Sequence, residues 1–416
     1  MEKEIKRVVL SKVIEKSENE HYAEVSLDEL ELLVDTAGGE VFCQVVQKKD
    51  RIDPVTYLGS GKIKELKEVC ENNDIDIVVF DDELSPSQIN NISEIVENVE
   101  ILDRSMLILD IFAKRATSNE GKLQVELAQM QYTMPRLYGQ GKYLSKQGAG
   151  IGTRGPGETK LELDRRYVKG RINTLKEKLE ELEKNRNIQR AQRDKNDTYQ
   201  IAIAGYTNAG KSSLMNLLTD SGVLAENKLF ATLETTTRKL TLPDGEEVLI
   251  TDTVGFIRNL PHQFIEAFKS TLNEITYADL ILLVCDAGDD EHETQIKITE
   301  ELIHELSQKD IPIIYVYNKI DTLQNPLFND NNSNNNRVMI SVKENKGIDE
   351  LLNLIVTVKN RDKIMRKYII PNNKGYILDT IYKTTNVISV EYKNDCIEIT
   401  TMANNESNQK IESLLK

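Results

Sequence analysis

Hydrophobic and polar positions follow two different periods along this 416-residue chain, and the places where the period changes divide it. Up to residue 112, β-branched runs at Val41–Gln47, Ile75–Phe80 and Val99–Leu102 alternate with helical patterns at Ser60–Glu71 and Ser85–Val96. Ser60 and Ser85 are candidate helix caps. Such alternation predicts a small parallel sheet. From Ile111 the period becomes helical. Arg115–Tyr132 reads as one helix and Leu161–Arg193 as a longer one, with Ile172, Leu175, Leu179 and Leu182 spaced three, four and three apart. Two consecutive helices with apolar stripes predict an antiparallel hairpin.

Residues 198–360 return to strand–helix alternation, with strands expected at Tyr199–Ala204, Lys239–Leu242, Glu247–Asp252, Leu280–Asp286, Ile311–Asn318 and Val338–Ser341. The Asn-rich stretch Asn329–Asn336 reads as a surface loop. The last stretch adds apparent strands at Val387–Tyr392 and Cys396–Thr401, with terminal helix patterns and no recognisable chemistry. The expected fold class is α/β. A small parallel sheet domain over 1–112 is followed by a helical hairpin over 113–197, a phosphate-loop domain over 198–365 and a small α+β domain over 366–416. The length agrees with about three domains at roughly 150 residues each.

The break inside the hairpin carries more information than its helices. Residues 134–157 contain seven glycines, the cations Arg136, Lys142, Lys146 and Arg154, and no acid, for a local charge of +4. Tyr138 and Tyr143 are interleaved. Glycine permits close backbone approach, cations suit a phosphate backbone, and tyrosine can stack on unpaired bases. A solvated linker is the alternative. The whole chain carries a net charge of −15, which excludes a basic coat over its entire surface but not this local patch. The four cysteines, Cys43, Cys70, Cys285 and Cys396, are far apart, without C-x-x-C spacing, which argues for a reducing compartment. The longest interior apolar run, Leu280–Cys285, is too short to span a membrane, and the charged start MEKEIKR lacks a signal-peptide core. A cytoplasmic protein without a membrane span is expected.

Candidate chemistry is concentrated in 198–365. GYTNAGKS, residues 205–212, follows an apolar strand and opens a helical pattern, the setting a phosphate-binding loop requires. Gly205 and Gly210 let backbone N–H groups turn inward at a helix N-terminus. Lys211 is placed for the β- and γ-phosphates and the Ser212 hydroxyl for magnesium. Asp252, opening DTVG at 252–255, ends a second strand, where a carboxylate can hold a magnesium-bound water and the Gly255 N–H can contact a γ-phosphate. NKID, residues 318–321, ends a third. The Asp321 carboxylate can accept two donors from guanine that adenine does not present, so GTP is selected over ATP. Ser341, Val342 and Lys343 end the last expected strand, where a backbone N–H can reach the guanine carbonyl. In this order, each at a strand's carboxyl end, the motifs predict a GTPase domain.

Thr232, in FATLETTTR at 230–238, is a candidate to complete the magnesium sphere from a loop that orders with GTP; Thr235, Thr236 and Thr237 are its rivals. The expected nucleotide contacts are Gly205, Tyr206, Thr207, Asn208, Ala209, Gly210, Lys211 and Ser212, together with Phe230, Ala231, Thr232, Leu233 and Glu234. They continue with Asp252, Thr253, Val254 and Gly255, then Asn318, Lys319, Ile320 and Asp321, then Ser341, Val342 and Lys343. Within this set Lys211, Thr232 and Gly255 are the catalytic candidates, and Ser212 and Thr232 the magnesium ligands. The Asn208 side-chain carbonyl is a candidate to hold a potassium ion against the transferring phosphate. Phe256 follows Gly255, where small signalling GTPases place a water-orienting glutamine, so slow hydrolysis by the isolated chain is expected. His262 is a possible orienter, with a surface histidine as the alternative.

The chain resembles the HflX family of ribosome-associated GTPases. The resemblance covers about 57–365 and rests on YLGSGK (57–62), ILDRSMLILDIFAKRA (101–116), KLQVELAQMQYTMPRL (122–137), GPGETKLELDRR (155–166), FATLETTTR and DTVGFIRNLPH (252–262). It departs from the family at Glu234-Thr235, where Asp-Pro is usual, and at Val342, where alanine is common. The resemblance implies binding to the large ribosomal subunit, both rRNA and ribosomal proteins, through the amino-terminal region. It further implies that the glycine-rich loop reaches toward the peptidyl-transferase region, and that the GTP form separates stalled or idle ribosomes into subunits. Some relatives are associated with resistance to ribosome-targeting antibiotics, and stress response belongs to the same picture. A monomer that can associate with a membrane surface is the expected form. The rival reading is a regulatory GTPase whose hairpin binds a protein or membrane partner without touching RNA.

Overall fold

The computed structural model describes residues 5–136, 160–195, 198–219, 229–307 apart from 260, 262, 263, 265 and 266, 309–323, and 336–415 apart from 362, 394 and 404. Most of the glycine-rich stretch, His262 and nearly all of the Asn-rich stretch lie outside the described residues. The described chain forms two compact units: residues up to Thr241 with Glu247–Lys346, and Leu242–Glu246 with Gly347–Lys416.

The first unit opens with β1 (Lys6–Glu15), α1 (Glu20–Ala37), β2 (Gly39–Lys49), α2 (Ser60–Asn72), β3 (Ile77–Phe80), α3 (Pro86–Ile95) and β4 (Glu100–Asp103). The strands form a parallel sheet in the order β2-β1-β3-β4, as expected. Its central strand β1 and the helix α1 are missing from the sequence expectation. The apolar run of β1 is interrupted by Ser11 and Lys12, yet both are buried, because Lys12 finds an acid partner across the sheet. Ser85 caps α3 in a reciprocal box with Gln88, as expected. Ser60 does not cap α2; Gly59 occupies that position without a side-chain bond.

The helix expected over Arg115–Tyr132 is present as Asn119–Arg136, and a separate helix that was not expected precedes it. α4 (Arg104–Arg115) stops where Ala116 turns extended, and α5 (Asn119–Arg136) starts after Ser118, whose Oγ accepts from Gly121 N at 2.9 Å. α6 (Lys160–Lys195) returns along α5. Glu120 pairs with Arg186 at 2.7 Å and Glu126 with Arg171 at 2.6 Å, so numbers rise on one helix as they fall on the other and the hairpin is antiparallel. Leu127, Val168, Ile172 and Leu175 form its core, with Leu179 packed against them.

The rest of this unit is β5 (Gln200–Gly205), α7 (Lys211–Thr219), β6 (Thr236–Thr241), β7 (Glu247–Asp252), α8 (Lys269–Thr276), β8 (Leu280–Asp286), α9 (His292–Leu306), β9 (Ile313–Asn318) and β10 (Arg337–Met339). The sheet order is β10-β9-β8-β5-β7-β6, parallel except for the edge strand β6. Since β10 stops at Met339, Ser341 lies not in a strand but in the following turn, exchanging backbone bonds with Lys346. One core joins α1 and α4 to this sheet through Leu30, Leu33, Phe112, Phe230, Phe256 and Phe264.

In the second unit, α10 (Ile348–Lys359), β11 (Ile364–Pro371), α11 (Ile377–Thr384), β12 (Asn386–Tyr392), β13 (Cys396–Ala403) and α12 (Asn405–Leu415) surround an antiparallel sheet in the order β11-β13-β12. Its core is Tyr368, Ile370, Ile377, Ile381, Ile397, Ile399 and Ile411. β11 escapes the alternation pattern because Ile364, Met365 and Ile369 are exposed apolar residues. The unit begins at Gly347 and includes Asp244 and Glu246, which pair with the buried Lys359 at 2.7 and 2.6 Å.

Candidate active site

A cavity of about 500 Å³ opens at the carboxyl ends of β5 and β9, under the loop 206–210 and the stretch 229–234. The loop after β5 is tight because two glycines make it so. Gly205 (φ +144°) and Gly210 (φ +93°) have backbone forms that side chains disfavour, and an added Cβ would lie 2.1 Å from the Val284 carbonyl or 2.3 Å from Asn318 Nδ2. This turn delivers Thr207, Asn208, Lys211, Ser212 and Ser213 to the cavity at the N-terminus of α7.

Lys211 is buried and donates its Nζ to the Tyr206 carbonyl at 2.7 Å. Burial pushes its pKa down to about 8, and Asp252 only partly offsets this. Ser212, Thr232 and Asp252 converge beside it. Asp252 Oδ2 accepts from Ser212 Oγ at 2.7 Å and from Thr232 Oγ1 at 3.1 Å, and the two hydroxyls are 2.6 Å apart. Burial raises the Asp252 carboxyl against Lys211, and its Oδ1 is buried without a partner. Two hydroxyl oxygens beside a carboxylate with one unpartnered oxygen fit magnesium, which takes its remaining ligands from phosphate and water. Among the described residues no three His, Cys, Asp or Glu gather as an all-protein metal site. Of the rival threonines, Thr236 and Thr237 belong to β6, and Thr237 bonds to Thr251 at 2.9 Å.

The far end of the cavity is lined by Asn318, Lys319, Asp321, Thr322, Val342 and Lys343. Asn318 Nδ2 donates to the Ala209 carbonyl at 2.9 Å and its Oδ1 accepts from Val342 N at 3.2 Å, tying this end to the phosphate loop. Lys319 pairs with Asp286 at 2.8 Å. Ser341 donates to Asp321 Oδ1 at 2.6 Å, which holds that carboxyl below its ordinary range. The Lys343 Nζ lies 3.9 Å from the other Asp321 oxygen.

Phe230, Ala231, Thr232 and Gly255 also line the cavity, but other expected residues direct their side chains elsewhere. Leu233 and Val254 are buried in the core, Thr253 Oγ1 donates to the Ile203 carbonyl at 2.7 Å, and Ile320 packs beside Leu323. The Glu234 carboxylate turns to Thr117 and Ser118. The Tyr206 hydroxyl donates to Glu29 of α1 and accepts from Arg258 N at 2.7 Å. Arg258 itself is buried against Glu291 at 2.6 Å. Phe256 lies among Phe112, Phe230, Phe264 and Phe268, turned into the core. Ser213 and Thr322 line the cavity without having been expected, although both adjoin expected motifs. Glu29 and Arg258 carry no local signal that would have revealed them.

Residues 24–113 match a family described as GTP-binding GTPase N-terminal, 115–193 one described as GTP-binding GTPase Middle Region, and 200–319 one described as 50S ribosome-binding GTPase. The chain is 47% identical over 395 residues to the GTPase HflX of Lacrimispora saccharolytica, covering 95% of this chain and 93% of that protein. It is 46% identical over 409 residues to the GTPase HflX of Caldanaerobacter subterraneus, covering 98% and 94%, and 39% identical over 360 residues to that of Escherichia coli, covering 86% and 84%. Among solved structures, a GTP-binding protein of Sulfolobus solfataricus in complex with GDP aligns at 24% identity and a TM-score of 0.46, covering 86% of this chain and 99% of that one.

Proposed function

Since the chain belongs to the HflX family of GTPases and hydrolyses GTP to GDP and phosphate, we propose that it binds the large ribosomal subunit and uses its nucleotide state to control subunit separation or the rescue of stalled ribosomes. The observation that carries this reading is the hairpin. α5 starts next to the stretch 229–234 and is 18 residues long, about 27 Å at 1.5 Å per residue, and the glycine-rich cationic segment follows it in the chain before α6. A hairpin whose connecting segment is rich in cations and glycines, on a chain of net charge −15, suits docking on RNA without general adhesion to it. The 50S ribosome-binding description of the model matched over 200–319 supports the same partner.

Within the pocket, Lys211 is assigned to the β- and γ-phosphates, Asp321 to the guanine edge, and the Gly255 N–H to the γ-phosphate. Ser212 and Thr232 are assigned to magnesium, with Asp252 behind a bound water; the ion would neutralise charge on the β- and γ-phosphates. Asn208, which lines the cavity, is assigned to a potassium ion; equal turnover in potassium and sodium buffers would remove that assignment. With Phe256 in the core, no side chain at that position orients the attacking water, so intrinsic turnover is slow and a bound partner accelerates it. Among the described residues no helix is long and apolar enough to cross a membrane. We take the protein to act in the cytoplasm as a monomer.

The test is sedimentation with isolated large subunits and with whole ribosomes in GTP-analogue and in GDP buffers. Analogue-dependent binding is expected, and neutralising Lys142, Lys146 and Arg154 together should weaken it and flatten its salt dependence. Wild-type affinity and salt slope in that triple variant would reduce the segment to a linker. Absence of binding in either buffer would sink the ribosomal reading.

A further inference from the structure

The stretch 229–234 is held from outside the pocket as well as inside it. Thr232 lies against Ser212 and Asp252, but two residues later the Glu234 carboxylate faces the junction between α4 and α5. Oε1 accepts from Thr117 N at 2.9 Å and from Ser118 N at 2.7 Å, and Oε2 accepts from the Thr117 hydroxyl at 3.1 Å. Free N–H groups at the start of a helix are orphan donors, and an ionised carboxylate is the acceptor that suits them.

The first turn of α5 is shaped around this carboxylate. A Cβ on Gly121 would lie 2.6 Å from Glu234 Oε1, so any side chain there would displace it. The same stretch touches the amino-terminal elements twice more. Leu229 N donates to Thr36 Oγ1 near the end of α1 at 3.3 Å, and the rings of Phe230 and Phe112 meet edge to face at 4.7 Å. Those contacts lie before Thr232 in the chain, and Glu234 supplies the hold after it. Two residues of extended chain reach no more than about 7 Å, so Thr232 cannot move far while Glu234 stays anchored.

We propose that Glu234 is a positioning residue for GTP hydrolysis, fixing Thr232 by tethering its loop to Thr117 and Ser118 at the root of the hairpin. Coupling of this kind is reciprocal. Whatever orders Thr232 orders the start of α5, and whatever displaces the start of α5 loosens Thr232. The proposal rests on the assignment of Thr232 to the magnesium–GTP state, while Glu234 itself lies outside the pocket and acts through that threonine.

The experiment uses the full chain with two variants that approach the tether from opposite sides. Glu234→Gln keeps the shape and removes the charge. Gly121→Ala leaves Glu234 in place and pushes on it with a methyl group, at a helical position where alanine is favoured over glycine. Each should lower kcat about tenfold, as expected for losing bonds to a charged group, raise the magnesium concentration needed for half-maximal turnover, and leave GDP affinity within about twofold. The double variant should be no worse than either single one, since both break one contact. Glu234→Asp, which keeps the charge, should recover most of the lost turnover. A readout independent of hydrolysis is amide exchange at Thr117 and Ser118, slower with a GTP analogue than with GDP in the wild type and equally fast in both for Glu234→Gln. Wild-type kcat with unchanged exchange in Glu234→Gln overturns the proposal, as does a uniform loss of GDP affinity and Tm without a kcat effect. Failure of the underlying assignment looks different: Thr232→Ala would then turn over normally while exchange at Thr117 and Ser118 still responded to Glu234→Gln.

Discussion

The two larger sheets, both in the first unit, have the same kinds of group near the carboxyl ends of their strands and reach opposite electrostatic outcomes. In the amino-terminal sheet, Lys12 of β1 faces Asp81, which follows β3, at 2.7 Å; Ser26 donates to the same oxygen, and Arg104 takes the other at 2.6 Å. Arg104 also reaches Glu29 at 2.6 Å. In the other sheet, Lys211 and Asp252 are just as buried, yet Asp252 has one oxygen without a partner. Burial lowers Lys12 but its acids outweigh it and raise it, whereas burial wins at Lys211. Burial likewise loses at Asp81, which is lowered, and wins at Asp252, which is raised. Parallel sheets bind ligands beyond their strand ends, but only where the chain leaves charge there unsatisfied. The amino-terminal sheet has closed its own crevice, and the GTPase sheet has left its crevice to the nucleotide.

Removing one lysine from each sheet should separate the two. Lys211→Met should reduce GTP turnover by roughly a thousandfold, about 4 kcal/mol, as expected when a donor to developing charge is lost. Because the folded-state pKa of Lys211 is depressed from 10.5 to about 8, its charge opposes folding increasingly as pH falls through that range and fully below about pH 8, so the same variant should melt no lower than wild type. Lys12→Met should do the reverse. Breaking a buried ion pair leaves Asp81 undercompensated and costs about 3 kcal/mol, read as a lower Tm, while GTP affinity at saturating folded protein is retained. A Lys211 variant that unfolds, or a Lys12 variant that loses nucleotide binding first, would erase the contrast.

Asp321 extends the comparison to the base end. Asp321→Asn should lower GTP affinity about a hundredfold and partly restore binding of xanthine nucleotides, because the amide offers a donor where the carboxylate only accepted. Melting of the free protein should change little, since the Ser341 hydroxyl can still donate to the amide oxygen. Unchanged GTP affinity would mean that another residue reads the base.

The smallest effect is in pH. If Lys211 meets the phosphates as proposed, a bound triphosphate should raise its pKa above the free value of about 8, so binding takes up a proton once the free lysine has lost one. GTP affinity should be flat below pH 8 and should fall above it by at most about tenfold per unit. Calorimetry in buffers of different ionisation enthalpy would detect the proton uptake, and its absence at pH 8.5 would place the Lys211 pKa elsewhere.

What the sequence determined by itself was which short motifs gather at one end of the GTPase sheet. The loop 205–212, Asp252 with Gly255, and Asn318 with Asp321 are legible because each occupies the end of an apolar strand, and a parallel sheet brings strand ends together whatever else the chain does. The hairpin was legible for a similar reason, since the period of Ile172, Leu175 and Leu179 reports an apolar stripe that needs a partner. Periodicity does not report which partner, nor which polar groups meet when faces close. β1 was hidden because its lysine looks wrong for a buried strand until Asp81 is opposite it. The Tyr206–Glu29 bond joins residues 177 positions apart, and the Glu234–Ser118 bond joins residues 116 apart. Both residues stand inside recognised motifs, where local spacing assigns them to the nucleotide. Only the tertiary structure decided that their side chains face the amino-terminal elements instead, because a hydrogen bond between distant residues depends on how whole elements pack, and one chain's local pattern carries no record of that.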